Sequence, residues 1–262
     1  MTPSHWFADD QFGRVHHRFL NHLPWLRSLT NHLSFEDSEF VDIAEGDLCW
    51  HEDGSDFRFF LKHPSMGTKI PSLTDVDRLI AAGDIPSLDD ILSSEFSPLK
   101  LLIELKTGTG DWKKALRSAI ETLEERAPGR YCIDSFNPAF LKEVKAISPG
   151  TLTSLHTRLG LLGSRVIVTH FEPPYFGLPD LAQLPQVDIL TITYKYCAPR
   201  NLGVDMDKFL TPIFAQEKMV FFGGVTSLEE FDLVRHTEGT RAAYAKFLKD
   251  QYSSTPRKSP SE

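Results

Sequence analysis

Apolar residues follow two rhythms along this chain. Short runs, apolar almost throughout, read as strands covered on both faces at Val15–Phe19, Phe40–Leu48, Phe57–Lys62, Leu101–Lys106, Arg130–Phe136, Thr151–Leu155, Arg165–Thr169, Val187–Tyr194 and Met219–Phe222. Between them the spacing changes to that of an amphipathic helix, at Leu23–His32, Leu73–Ala82, Leu88–Ser93, Trp112–Arg126, Ala139–Ile147, Met206–Gln216 and Leu228–His236, with a last helix near Arg241–Tyr252. Several starts are marked by a serine with acidic residues in the turn that follows: Ser72 with Asp75, Ser87 with Asp89 and Asp90, Ser227 with Glu229 and Glu230. Strand–helix alternation predicts an α/β architecture with a mainly parallel sheet. Nine strand candidates compete for the eight places of a (β/α)8 TIM barrel, so the barrel is expected to be slightly irregular, with Arg165–Thr169 or Thr151–Leu155 peripheral.

Punctuation residues set the loops. His63 to Ser97 carries Gly67, Pro71, Gly83 and Pro86 and reads as a long loop with two short helices after the third strand. Phe171–Pro185, with four prolines, reads as a second irregular loop, and Gly223-Gly224 as a tight turn. The Ser/Pro/Lys-rich end is expected to be a disordered tail over 253–262, leaving 1–252 as a single barrel domain. A hydrophobic content of 41% over 262 residues suffices for one large core. The net charge of -8 argues against a nucleic-acid partner, which would need clustered Lys and Arg, but leaves room for a local anion site. Cys49, Cys132 and Cys197 are scattered and lack metal-type spacing, which predicts reduced thiols in a cytoplasmic setting. No secretory signal is read in Met1–Asp10, and no run approaches the roughly 20 apolar residues of a membrane span.

Against this apolar background the charged residues at strand ends stand out. Glu104 and Lys106 lie two apart in Leu101-Leu102-Ile103-Glu104-Leu105-Lys106 and so share a side of their strand. Such a pair is either a structural ion pair or an acidic ligand beside a cationic anion clamp. Glu45 and Asp47 follow Phe40–Ala44 and share a face in the same way; they read as a solvated acidic turn or as carboxylates held together by a cation. Three carboxylates offer oxygen ligands suited to Mg2+ or Ca2+. His17 follows Val15, and His63 ends the Phe57–Leu61 run; two imidazoles could supply a base and an acid. His16, His22, His32 and His51 are local competitors among ten histidines.

Five ordered segments bear a further likeness: Glu45-Gly46-Asp47 followed by Asp53-Gly54, Phe59-Phe60-Leu61-Lys62-His63, Ile85-Pro86-Ser87-Leu88-Asp89-Asp90-Ile91-Leu92, Ile103-Glu104-Leu105-Lys106, and Ser135-Phe136-Asn137 with Leu141. In this order and at these intervals the chain resembles the glycerophosphodiester phosphodiesterase superfamily, the phospholipase-C-like barrels related to sphingomyelinase D-like and menorin-like proteins. The resemblance implies one divalent cation on Glu45, Asp47 and Glu104, phosphate binding by Arg18 and Lys106, and His17 and His63 as the acid/base pair. It implies a metal-dependent phosphodiesterase acting on a glycerophosphodiester or related phospholipid-type diester, small or lipid-derived. A barrel that holds a phosphorylated head group without cleaving it is the alternative. There are departures. Phe19 stands in place of the family's glycine after His-Arg, the Pro-Glu-Asn segment is absent, His63 is followed by Pro64 as in menorin-like proteins, and Met219–Gly224 replaces a last strand that usually carries Trp.

Overall fold

The structure is a computed structural model that describes residues 6–7, 11–32, 39–64, 70–157, 159–162, 165–168, 183–193, 210–211, 213–237 and 240–245. The chain enters through β1 (Phe12–His16), a 3-10 turn at Phe19–Asn21 and α1 (Leu23–His32). A long β2 (Phe40–Asp53) folds back as β3 (Asp56–Leu61) and leads through α2 (Leu73–Ala81) and α3 (Leu88–Ile91) to β4 (Lys100–Gly108). Then come α4 (Trp112–Arg126), β5 (Tyr131–Ser135), α5 (Pro138–Ile147) and β6 (Leu152–Thr157). The remainder supplies β7 (Leu159–Leu162), β8 (Arg165–Val168), β9 (Ile189–Thr193), β10 (Met219–Val225), α6 (Leu228–Arg235) and β11 (Thr240–Ala245).

Eight of these strands pair in parallel in the order β1-β11-β10-β9-β6-β5-β4-β2, and a parallel β1–β2 pairing closes the ring. The fold is the expected (β/α)8 barrel. Its apolar residues divide by strand alternation. Val15, Ile43, Leu102, Cys132, Leu152, Ile189, Phe221 and Ala242 pack inside, where Trp6 and Phe7 join them. Leu101, Ile103, Leu105, Ile133, Val220, Phe222 and Ala243 face out toward the helices. The expected serine caps form at Ser72, Ser87 and Ser227, Ser87 in a capping box with Asp90.

Three strands and one turn differ from expectation. The first strand ends at His16, because Arg18 takes a left-handed conformation (φ 63°) that turns the chain into Phe19–Asn21. Phe57–Lys62 is a strand but not a barrel strand: β3 pairs antiparallel with β2 around the turn at Gly54 (φ 64°). Of the two peripheral candidates, Arg165–Val168 lies outside, paired with β7 in a separate ribbon. The eighth barrel strand is Thr240–Ala245, where a helix was expected. Its alanines favour a helix locally, but small residues are what this seam accommodates: a Cβ placed on Gly13 would lie 2.7 Å from the Cβ of Ala242 and 3.0 Å from the ring of Phe7. Gly223-Gly224 lies within β10, with Gly224 at φ 79° beside a register shift, and is no turn. The tail over 253–262, most of Phe171–Pro185 and part of Met206–Gln216 lie outside the described residues.

Two contacts hold the barrel's first seam. On its outer side Asp42 accepts a two-pronged ion pair from Arg14 at 3.0 and 2.8 Å, and Nε2 of buried His16 lies 2.7 Å away. At its top the Phe19–Asn21 turn presses on β2 at Gly46, where a Cβ would meet that of Leu20 at 2.4 Å. The contact lets Asn21 pair with Asp47 twice, donating to Oδ2 at 2.6 Å and accepting from its backbone N–H at 2.9 Å. Gly46→Ala is therefore expected to destabilise by about 1–3 kcal/mol through overpacking. In a domain of this size that lowers Tm by roughly 3–10 °C, read by calorimetry; an unchanged Tm would mean that the turn is free to retreat. Burial pushes the Asp42 carboxyl up, but the hydrogen bonds and charges of His16 and Arg14 outweigh it and leave the group below its ordinary value. A depressed carboxyl contributes stability that is present above its unfolded pKa and lost as pH falls through the folded one. Asp42→Asn should cost about 1–3 kcal/mol at pH 7, and in denaturant unfolding that gap should narrow below about pH 4. An equal gap at pH 7 and pH 3 would show that the charge contributes nothing.

Candidate active site

Inward-facing residues change from apolar to acidic at the carboxyl end of the barrel. On β2, Ile43 is followed by Glu45 and Asp47; on β4, Leu102 by Glu104 and Lys106; on β5, Cys132 by Asp134. All four carboxylates are buried, Asp47 and Asp134 completely. Register carries them to the same height, since Asp47 pairs with Glu104 and Glu104 with Asp134 across successive parallel strands. Ligand oxygens of Glu45, Asp47 and Glu104 all lie within 4.8 Å of one another. The three carboxylates singled out from sequence thus converge, although 57 positions separate the second from the third.

Lys106 reaches into the cluster from the rim. Its Nζ donates to Glu104 and lies 3.0 Å from Oδ1 of Asp47. Burial would lower this ammonium, but Glu104 and Asp47 override that and raise its pKa. The Glu104 carboxyl is shifted toward its neutral form: burial raises its pKa well above the ordinary range, Lys106 opposes, and Asp134, Glu45 and Asp47 add to the rise.

The histidines arrive by different routes. His17 follows β1, and its Nδ1 lies 2.8 Å from Oε2 of Glu45. The left-handed turn at Arg18 aims that residue's backbone N–H at the same oxygen, 2.6 Å away, and brings its guanidinium to 4.0 Å from Asp47. The hairpin delivers His63. Leu61 pairs with Leu48, and Lys62 N–H donates to the carbonyl of Asp47 at 2.9 Å, so His63 emerges beside the cluster. Burial lowers its pKa; Asp47 opposes, and Arg18, Lys106 and His17 add to the lowering. Of the competitors, His16 belongs to the Asp42 ion pair, and His51 bonds Thr109 and the carbonyl of Pro71.

Sequence reasoning missed Asn21, Asp134, His156 and Tyr244. Asp134 sat in plain view as a carboxylate in an apolar run, in phase with Cys132. Nδ1 of His156, at the end of β6, lies 3.1 Å from Asp134, and its ring stacks on Phe136 at 4.3 Å. Tyr244 stands between the imidazoles of His17 and His156, each ring centroid 6.0 Å away, and burial with the nearby carboxylates keeps its phenol protonated. Nothing in Ala242-Ala243-Tyr244 marks it as a site residue when the segment reads as a helix.

A hard divalent cation fits this donor set. Three carboxylates offer oxygen ligands at mutual distances one ion can span, and the buried Oε1 of Glu45 has no hydrogen-bond partner among the described residues.

No protein-family model matches the chain, and no curated protein matches it. Solved structures do. A phosphodiesterase from Oleispira antarctica, in complex with the product sn-glycerol-3-phosphate, is 15% identical, with 91% of this chain and 94% of that one aligned at a TM-score of 0.62. A glycerophosphodiester phosphodiesterase from Parabacteroides distasonis is 17% identical over 93% and 95% of the two chains at a TM-score of 0.60. One from Thermotoga maritima is 11% identical over 92% and 96%, also at 0.60. Nearly the whole length of each chain is matched, and the fold of this protein is that of the glycerophosphodiester phosphodiesterases.

Proposed function

We propose that this chain is a phosphodiesterase that cleaves a glycerophosphodiester or a related phospholipid-type diester, with one divalent cation, Mg2+ or Ca2+, on Glu45, Asp47 and Glu104. The observation that carries this reading is the convergence of those buried carboxylates with Lys106 and two imidazoles at one mouth of the barrel. The Oleispira antarctica enzyme of the same fold, solved with sn-glycerol-3-phosphate, supports a glycerophosphate moiety in the substrate. Residues 1–252 act as one barrel. The acidic balance of the chain speaks for a small or lipid-derived partner and against a nucleic acid. The buried free thiols of Cys49 and Cys132 support a cytoplasmic setting. Among the described residues no helix is long and apolar enough to cross a membrane.

The bound cation would neutralise charge on the phosphoryl oxygens. Lys106 binds one of those oxygens, and Arg18 holds the diester at the rim. His63, its pKa lowered by burial and by neighbouring positive charge, accepts the proton of the attacking hydroxyl. His17, its ring set against Glu45, donates a proton to the departing alcohol oxygen. With water as nucleophile the products are a monoester and an alcohol; with a neighbouring hydroxyl of the substrate, a cyclic phosphate forms first.

The test is turnover of a panel of glycerophosphodiesters and lysophospholipids, followed by 31P NMR. Chelation should abolish turnover, and Mg2+ or Ca2+ should restore it. His17→Gln and His63→Gln should each lower kcat by about 100-fold or more, and Lys106→Met by roughly 100- to 1000-fold. Undiminished turnover in Glu104→Gln after chelation would overturn the reading; metal binding with no turnover would favour a barrel that holds a head group without cleaving it. A base loses activity as pH falls through its pKa. The acidic limb of kcat/KM is therefore expected below the ordinary imidazole value of about 6.5 and should be absent from the residual rate of His63→Gln. A limb at or above that value would assign the base to another residue.

A further inference from the structure

Glu104 stands between two donor sets. On one side are Glu45 and Asp47; on the other are Asp134 and His156, which with Glu104 also bring their ligand atoms within 4.8 Å of one another. The register that aligns Asp47 with Glu104 aligns Glu104 with Asp134, and Asp134 pairs with Ser154, two residues before His156 on the same face of β6. Adjacent strands lie about 4.8 Å apart, so the three carboxylates form a row with two gaps of similar width. Lys106 is placed at the first, between Asp47 and Glu104. At the second, Asp134 is fully buried; Oδ2 meets His156, while Oδ1 has no hydrogen-bond partner among the described residues. An ionised oxygen left so is costly unless a cation meets it. The His156 ring is held by its stacking on Phe136, and Gly223 faces its Nε2, where a Cβ would lie at van der Waals distance, 3.8 Å away.

We propose that Glu104, Asp134 and His156 hold a second divalent cation, with the Glu104 carboxylate shared between the two positions. The inference rests on the reading that Glu45, Asp47 and Glu104 take the first ion, and adds to it a paired site. The donors differ in kind: the first position is all oxygen, whereas the imidazole of the second favours Mn2+ or Zn2+ over Ca2+ and Mg2+. Paired ions sharing a carboxylate sit about 3.5–4 Å apart, a spacing at which they clamp the attacking and leaving oxygens of a phosphoryl group. Four buried carboxylates offset by Lys106 and the rim residue Arg18 are in negative excess. One divalent ion neutralises that excess, and a second makes the mouth attractive to an anionic diester.

Calorimetric titration of the full chain with Mn2+, with electron paramagnetic resonance of the loaded protein, tests the proposal. Wild type should bind two Mn2+ per chain and give the spectrum of an exchange-coupled pair. His156→Gln and Asp134→Asn should each bind one, as an uncoupled ion, with the first affinity kept within about threefold and the second weakened by 100-fold or more. Anomalous scattering from wild-type crystals soaked in Mn2+ gives the same answer without a variant and should show two peaks that share Glu104. A single peak among Glu45, Asp47 and Glu104, or two ions retained in both variants, would overturn the second position while leaving the first intact. No Mn2+ bound at all would overturn this inference and the metal-dependent reading of the site together.

Discussion

Four carboxylates buried side by side at the top of a closed barrel are the constraint around which the rest is arranged. Each has lost its water, and like charges at adjacent-strand spacing repel strongly where the local dielectric is low. An apolar core would avoid the difficulty entirely. Here it is met by Lys106, by Asn21 and the Arg18 backbone N–H as hydrogen-bond donors, and by a carboxyl at Glu104 that holds its proton far above the usual range. Such a cluster has two comfortable states, protonated and cation-filled. On the proposed reading, the tension between them makes the mouth a binding place rather than a structural ion-pair network.

The surrounding scaffold keeps that tension from being relaxed by movement. Arg18 adopts a backbone conformation uncommon for a side-chain-bearing residue, and its N–H thereby reaches the oxygen of Glu45 that His17 also approaches. The turn that follows is pressed against Gly46, so Asn21 can hold both the backbone and the carboxylate of Asp47. A glycine between two acidic residues is thus a space requirement, because any Cβ there would push the turn and its amide away. The β2–β3 hairpin adds the last imidazole by leaving the barrel rim and returning within hydrogen-bonding distance of Asp47. Two separate pieces of chain, residues 17–21 and the hairpin, are registered against the same three residues of one strand.

Much of this was legible in the residues. Apolar runs with charged ends located Glu45, Asp47, Glu104 and Lys106, because buried strands show their functional ends as abrupt breaks in hydrophobicity. What failed were inferences about pairing partners. Phe57–Lys62 has the composition of a barrel strand, and only its tight turn with β2 excludes it from the ring. Thr240–Ala245 has helical composition, and only the crowded seam beside Gly13 makes its small residues the right ones for a strand. Asp134 and His156 escaped notice for a related reason: each is the one acidic or basic residue on a short strand, and their meeting depends on β5 and β6 being neighbours in a known register. Propensity and period are local, whereas barrel membership and convergence are decided by contacts distant in sequence.

Register also explains how the chain can share this fold with proteins it barely resembles in sequence. Apolar residues inside and outside a barrel can be exchanged widely provided that volume and alternation are kept, so identity can fall to the level seen here without loss of the architecture. The acidic row has no such freedom. A slip of one residue in β2 or β4 would turn Glu45 and Asp47, or Glu104 and Lys106, into the apolar layer beneath the helices and bring Gly46 or Leu105 to the mouth. The same slip would bury charge against Leu20 and Leu61 and expose leucine to water. The hydrophobic layer therefore enforces the register that the site requires, and the charged pairs penalise every alternative, so the geometry of the mouth is set by the packing of the whole barrel.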